Sequence, residues 1–515
     1  MGWLRERTLE ELGIGVFDVL VIGGGIVGGR VAFDAARAGL RVALVDGGDF
    51  GGATSGASAR LVHGGLRYLG TGDFRLVRTA LRERHILASR VAPHLVRPLP
   101  FVLSAAGGRR QRSRCAAGLL AYAALDAFRR PLPRFVTPEE ATLLVPPLCV
   151  GDPASHAVYY EAGTNDSRLA LATVTAAARS GALVANYLRA VALDLAPGKI
   201  SRVVLKGRDG GITVRCRAVV NATGPWLDLL RKMEDSGCEP IARLSKGIHV
   251  VLRPDEQWQA AVAVSLDDGQ HLYAVPCEDR ILLGTTEQEY CGDPANVAAE
   301  PEDVSYLLQR AKQFLRPEML RGERIVAAFA GLRVLPRGEG ATLHASRDHL
   351  LSVGPGGMVS VAGGKLTTHR RIALDALRHL SDRVRPRGLS LSDAPLPGAS
   401  PVRSRGLDSR LDGSTVDHLQ LLYGSETGRL LEYSKENGNA LEEITPGAPD
   451  IWAQVYNAIR EEWALTAEDV IYRRTTLGLR GFDTPEIRRV ISATLEAAAG
   501  LQTNPLRSFK PVTRS

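Results

Sequence analysis

The stretch Asp18-Val19-Leu20-Val21-Ile22-Gly23-Gly24-Gly25-Ile26-Val27-Gly28 decides the fold. Four branched apolar residues running without polar interruption into glycines read as a strand buried on both faces of a parallel sheet. An Ala-rich helix follows, ending near Gly39, and a second strand, Arg41 to Val45, comes directly after it. Strand, turn, helix and strand in so few residues leave little room for any topology but a right-handed crossover. Within it Gly23, Gly25 and Gly28 keep the Gly-x-Gly-x-x-Gly spacing. The three glycines serve a tight turn, close approach of the backbone to a pyrophosphate, and close packing of helix on strand. The helix start contributes roughly half a positive charge and free amides, which suit a diphosphate. Asp46, at the end of the next strand, supplies a carboxylate for ribose hydroxyls. The unit predicts a dinucleotide site.

Working outward, two more strand-to-turn segments carry glycine. Asn221-Ala222-Thr223-Gly224-Pro225-Trp226 follows the apolar Ala218 to Val220 and resembles the second dinucleotide-contacting segment of many flavoproteins. Gly363-Gly364-Lys365-Leu366-Thr367-Thr368 follows a buried strand at Met358 to Val361. In a flavin site such a turn aims amides at the pyrimidine side of the ring, where reduction places negative charge. Three turns suggest one long cofactor, and FAD rather than NAD. Small residues from Gly51 to Ala59 precede an amphipathic helix over Asp73 to Val91. Ile200 to Leu205, Ile212 to Val214, Val250 to Leu252 and Ile281 to Leu283 read as strands, largely antiparallel, of a second, interleaved domain. A Pro, Gly and Ser-rich linker from Arg387 to Gly406 leads to periodic apolar positions from Val416 to Gly500. The fold class expected is α/β: a discontinuous Rossmann-like FAD-binding domain (16–95, 155–240 and 330–385), an interleaved α+β substrate domain (96–154 and 241–329) and a C-terminal helical domain (400–515).

The run Thr54-Ser55-Gly56-Ala57-Ser58-Ala59-Arg60-Leu61-Val62-His63-Gly64-Gly65-Leu66-Arg67-Tyr68-Leu69 resembles the FAD-dependent glycerol-3-phosphate dehydrogenases. The likeness continues through Lys246-Gly247-Ile248-His249, Gly284-Thr285-Thr286, Gly331-Leu332-Arg333 and Arg347-Asp348. It ends in Glu462-Trp463-Ala464 and Arg473-Arg474-Thr475, similar to that family's helical cap. The resemblance implies a substrate domain over the flavin face, hydride transfer from C2 of sn-glycerol 3-phosphate to flavin N5, dihydroxyacetone phosphate as product, and electrons passed to a quinone. It also implies that Gly23, Gly25, Gly28 and Asp46 hold the nucleotide half of FAD. Thr54, Ser55, Ser58, Arg60 and Leu61 would follow the cofactor, with His63, Gly64 and Gly65 beneath the ring. Ala222, Thr223, Gly224, Gly364, Lys365, Leu366 and Thr367 complete the cofactor set, and Arg67, Arg333, Arg347 and Lys365 match basic residues around the substrate. Departures are Val334 for a usual proline, His369 for a common tyrosine and Arg60 for a common lysine.

The chemistry of that substrate fits those residue types. A dianionic phosphate requires several fixed cations, and Arg347 and Lys365 are assigned to it. Arg333 is placed nearer the C2 hydroxyl, where it lowers the cost of a developing alkoxide. His63 and His249 are the candidates to take the hydroxyl proton, because imidazole titrates near neutrality. The rivals are a related flavin enzyme acting on an amino acid or 2-hydroxy acid, and a non-catalytic flavin-binding paralogue.

Totals bound the rest. The chain has 515 residues and an excess of Lys and Arg over Asp and Glu, 64 against 56, giving a charge of +8 that favours anionic partners. Its Arg and Ala richness reflects a compositional bias, and no nucleic-acid partner is expected. Six scattered cysteines lack metal-ligand spacing, so no metal is expected. Met1 to Phe17 has no continuous apolar core of the secretory kind, and no run reaches the roughly 20 apolar residues that span a bilayer. A cytoplasmic location is expected, peripheral on the inner face of the membrane. Arg109-Arg110-Gln111-Arg112-Ser113-Arg114, the apolar Cys115 to Phe128 and then Arg129-Arg130 would meet an anionic membrane surface there, or else form a buried helix with solvated arginines. A second copy of the chain, as a homodimer, completes the expected partners.

Overall fold

In the computed structural model, which describes residues 2–70, 72–106, 109–150, 154–196, 198–208, 210–265, 270–337, 349–401 and 409–502, the first strand is Val19–Ile22, every residue of it buried. It lies inside a six-stranded sheet. Leu183–Ala185, Val42–Val45, Val19–Ile22, Val219–Asn221 and Val359–Gly363 run parallel in that order, and His349–Val353 closes the edge antiparallel. The helix Ile26–Arg37 covers one face together with Asp166–Arg179 and His369–Arg378. Burial on both faces is why these strands read as unbroken apolar runs. Gly28 makes the helix-to-strand contact: a Cβ there would stand 1.8 Å from the Gly23 carbonyl oxygen.

The opposite face is covered by a four-stranded sheet, Val16–Phe17, Gly210–Cys216, Lys199–Gly207 and Leu188–Ala196, and by the N-terminal helix Gly2–Ile14, whose Leu12 packs on Phe17 and Leu20. The strands around Ile200 and Ile212, read together with those of the second domain although they fall within the 155–240 span of the first, lie in this small sheet beside the first. Alternation alone does not say which sheet a strand joins.

The second domain is built on a ten-stranded sheet. Its longest pairings are Val96–Ala106 with Ala154–Thr164 and Ala242–Leu252 with Ile325–Pro336, both antiparallel. Each expected boundary, at 155 and at 330, falls inside one of these strands, Ala154–Thr164 and Ile325–Pro336, and both strands lie wholly in the large sheet. Phe74–Ile86 is capped by Asp73, whose carboxylate accepts from the Leu76 amide at 3.0 Å. C-terminal helices, including Gly413–Tyr423, Trp452–Glu461 and Pro485–Gln502, enclose two apolar cores of their own. Buried charges join them to the rest. Asp49, three residues past Asp46, accepts from Arg473 and Arg474, and Arg168 donates to Glu462 at 2.8 Å.

Candidate active site

One cavity of about 1100 Å³ runs between the parallel sheet and the large sheet. At one end lies the turn after Val19–Ile22. Gly23 and Gly25 line it, and Gly25 is the N-cap of a helix whose first turn carries no acidic side chain. The Ile26 amide donates to Ser55 Oγ at 3.0 Å, so the loop 54–58 is fastened to the helix start. Thr54 Oγ1 donates to the Leu332 carbonyl at 2.6 Å, which ties the same loop to the second domain. Asp46 accepts from the amides of Gly24 (2.6 Å) and Gly48 (2.8 Å), which orient its carboxylate. Burial pushes Asp46 up to about 6, against the pull of those amides.

The middle of the cavity is lined by Ala222, Thr223 and Gly224 on one side and by Gly364 to Thr367 on the other. Thr367 Oγ1 donates to the His63 carbonyl at 3.2 Å, joining the third glycine turn to the loop that leaves strand Leu61–Val62. Ser58, Leu61 and His63 line the wall here. Ser58 is held by Asp166, which accepts from its amide and hydroxyl at 2.9 and 2.7 Å.

At the far end cations gather around one ring. Lys365 Nζ lies 3.8 Å and the Arg67 guanidinium 4.9 Å from the Tyr68 ring centre, and Arg67 also donates to the Tyr68 hydroxyl at 2.9 Å. Arg333 donates to the Thr286 carbonyl at 3.1 Å and to Thr285 Oγ1. Burial first, and repulsion from Arg67 second, push Arg333 down to about 10, which still leaves it a cation at neutral pH. His249 stacks on Phe329 at 5.1 Å, is 3% exposed, and among the described residues neither ring nitrogen has a hydrogen-bond partner. Burial and then Arg333 press it down to about 3, so the imidazole is neutral. Tyr273, His271 and Glu287 share this wall.

A family model for FAD dependent oxidoreductases matches residues 18–370, and a second, for the C-terminal domain of alpha-glycerophosphate oxidase, matches 391–500. A glycerol-3-phosphate dehydrogenase of Mycobacterium leprae is 33% identical over 488 residues, 92% of this chain and 83% of the relative. One from Pseudomonas aeruginosa is 34% identical over 493 residues, covering 90% and 92%. The chain belongs to the FAD-dependent glycerol-3-phosphate dehydrogenase family. Among solved structures, the glycerol-3-phosphate dehydrogenase from Bacillus halodurans complexed with FAD superposes with a TM-score of 0.75 at 25% identity, over 99% of each chain.

FAD, the cofactor of this family, fits the residues present. The cavity reaches from the first glycine turn to Arg333, a helix start with no acidic side chain in its first turn lines it, and the Asp46 carboxylate, held by two amides, lines it as well. Gly28, Arg60, Gly64 and Gly65 stand off the cavity wall. Gly28 is spent on packing, and the Gly64 amide donates to Glu161 at 3.0 Å. Arg347 lies outside the described residues. Lys246, in a motif shared with these dehydrogenases, turns away to pair with Asp303 at 2.7 Å. Of the departures from the family pattern, Val334 lines the cavity, whereas His369 is buried behind it with Nδ1 on the Leu366 carbonyl at 2.7 Å. Sequence reasoning passed over Tyr273, His271 and Glu287. Tyr68 and Thr285 stood inside quoted motifs, with no property in the sequence to mark them as wall residues.

Proposed function

We propose that this cavity oxidises sn-glycerol 3-phosphate to dihydroxyacetone phosphate, with hydride passing from C2 to N5 of FAD and the electrons going on to a quinone. The observation that carries the reading is the crowding of Arg67, Arg333 and Lys365 around Tyr68 at one end of a cofactor-length cavity. Repulsion of Arg333 by Arg67 is relieved by an anion, and a phosphate dianion relieves it most. The names and extent of similarity of the relatives support the same substrate. FAD, when bound, supplies the two-electron acceptor.

Lys365 and Arg67 bind and orient the phosphate, and Arg333 faces the C2 oxygen as negative charge develops on it. His249, neutral and with no hydrogen-bond partner at either ring nitrogen among the described residues, accepts the hydroxyl proton on its unprotonated nitrogen while the C2 hydrogen leaves with its electron pair and the carbonyl forms. The phosphate charge offsets Arg333, which raises the basicity of the imidazole once substrate is present. His63, which also lines the cavity, is the second candidate. Anaerobic addition of glycerol 3-phosphate should bleach the flavin band, while glycine or lactate should not. A yellow protein bleached only by an amino acid or 2-hydroxy acid would overturn the substrate, and one bleached by none of them would be a non-catalytic paralogue.

The membrane reading rests on the helix Arg109–Leu125 and the loop after it. Leu119 and Tyr122 are buried against the large sheet, whereas Leu120, Phe128 and Leu132 are exposed, as are Arg110, Arg112, Arg114 and Arg129 in the same segment. Exposed apolar side chains in an arginine-rich segment suit an anionic bilayer surface, close to a quinone. Among the described residues no helix is long and apolar enough to cross a membrane. Phe128→Ser with Leu132→Ser should weaken binding to vesicles containing phosphatidylglycerol, and unchanged binding would remove the proposal.

A further inference from the structure

Behind the cavity wall lies a set of buried charges that the reaction above does not use. The strand Leu61–Val62 pairs with Gly163 and Ala162 of Ala154–Thr164, and there the ladder stops. At the next position the side chain of Glu161 takes over: its Oε2 accepts from the Gly64 amide at 3.0 Å. The same oxygen accepts from Arg84 Nη1 at 2.6 Å, and Oε1 accepts from the Tyr122 hydroxyl. Arg84, on Phe74–Ile86, also donates to the Tyr160 carbonyl and to Asp126, both at 2.8 Å. Glu161, Arg84, Tyr122 and Asp126 are all 3% exposed or less. Burial, and then the adjacent Glu161 carboxylate, hold the Tyr122 phenol well above its ordinary value, so it stays a donor.

A buried carboxylate is costly unless its lone pairs are met, and here one of the three donors that meet them is the backbone of the site loop. No slack exists at that point, because a Cβ on Gly64 would stand 2.2 Å from the Tyr122 hydroxyl and 2.3 Å from Leu81. The residue before it, His63, lines the cavity and is held from the other side by Thr367. The loop is thus clamped between Glu161 and the third glycine turn.

We propose that Glu161 is a positioning residue: through the Gly64 amide it fixes the His63–Gly65 loop as one wall of the cofactor cavity, with Arg84 and Tyr122 fixing Glu161 in turn. This rests on reading the cavity as the flavin and substrate site. In the holoenzyme, Glu161→Gln keeps the size of the side chain and one acceptor oxygen but removes the charge. We expect amide exchange in the peptide containing Gly64 to accelerate by about tenfold or more, as loss of a charge-assisted bond implies. The visible flavin band should shift, and kcat should fall by about tenfold with a smaller change in KM. Tyr122→Phe, which deletes one hydroxyl, should move the same readouts in the same direction by less, and it carries the test if Glu161→Gln yields no folded protein. As a control, Glu462→Gln removes another buried ion pair, with Arg168, which has no contact with the loop; it should lower thermal stability without accelerating exchange at Gly64. Wild-type exchange and an unshifted band in both Glu161→Gln and Tyr122→Phe would overturn the proposal, as would equal acceleration in Glu462→Gln. A wild-type flavin not bleached by glycerol 3-phosphate would instead sink the functional reading, while the exchange result would still decide the role of Glu161.

Discussion

The two ends of the cavity are made in different ways. At the nucleotide end, Gly23, Gly25, Gly28 and Asp46 come from a single strand-turn-helix-strand unit, and most of what they contribute is backbone. At the substrate end, Arg67, His249, Arg333 and Lys365 come from four separate segments, and what they contribute is side-chain charge and proton affinity. The pairing of Ala242–Leu252 with Ile325–Pro336 sets Ser245 opposite Arg333 and His249 opposite Phe329, so sheet register places two of the four. The local end is rigid because the chain has no alternative path there. The assembled end depends on registers and buried ion pairs made far from it, and is the more open to change.

The largest effect should come from breaking the local end. Gly28→Val would drive a side chain into the Gly23 carbonyl, which is backbone and cannot move without opening the turn. The purified protein should be colourless, with FAD affinity lost by more than about a hundredfold. A yellow Gly28→Val protein that glycerol 3-phosphate still bleaches would break the comparison.

A smaller effect is expected at the assembled end, where one charge can be removed and the geometry kept. Lys365→Ala deletes an ammonium that rests on the Tyr68 ring. A charge-assisted bond contributes about 1.5–3 kcal/mol, so kcat/KM for glycerol 3-phosphate should fall by roughly tenfold or more while the flavin stays bound. Steady-state kinetics on the yellow variant checks this, and an unchanged kcat/KM would remove Lys365 from the phosphate site.

This contrast also explains what was legible in the sequence. Four strands of the parallel sheet and its first turn were, since apolar runs and glycine spacing are local patterns. The ends of those four were legible to within a residue or two, as at Val19–Ile22 against a reading of Asp18 to Ile22, whereas Leu183–Ala185 and His349–Val353 were not read. What was not legible depends on partners distant in the chain. The strands near Ile200 and Ile212 alternate as any half-buried strand does, and only their pairing with Leu188–Ala196 and Val16–Phe17 assigns them to the small sheet. Asp49 looks like one more loop aspartate until Arg473 and Arg474 arrive from over four hundred residues away. Glu161 sits in a strand with no motif around it, and its meaning comes from Gly64, Arg84 and Tyr122 together.

The smallest effect returns to the nucleotide end and asks whether its single ionisable group behaves as its surroundings require. Burial raises Asp46 from 3.8 to about 6 in the folded chain without cofactor. For an acid raised on folding, the contribution to stability is fully present below the unfolded value near 3.8 and is lost as pH rises through about 6. The ionised carboxylate above pH 6 is therefore a cost to the apoprotein. Hydroxyl donors from the ribose of FAD offset that cost, and they require the carboxylate form. Binding should accordingly release a proton below pH 6, and the affinity for FAD should weaken as pH falls, by up to about tenfold at pH 5 relative to pH 7.5. Fluorescence titration of apoprotein with FAD across that range measures it. Asp46→Asn should bind FAD more weakly at pH 7.5 and lose this dependence. A wild-type affinity that is flat from pH 5 to 7.5 would mean that Asp46 keeps one protonation state on binding throughout that range, and that even the most local part of the site is tuned by the charges packed around it, Asp49 and Arg473 among them.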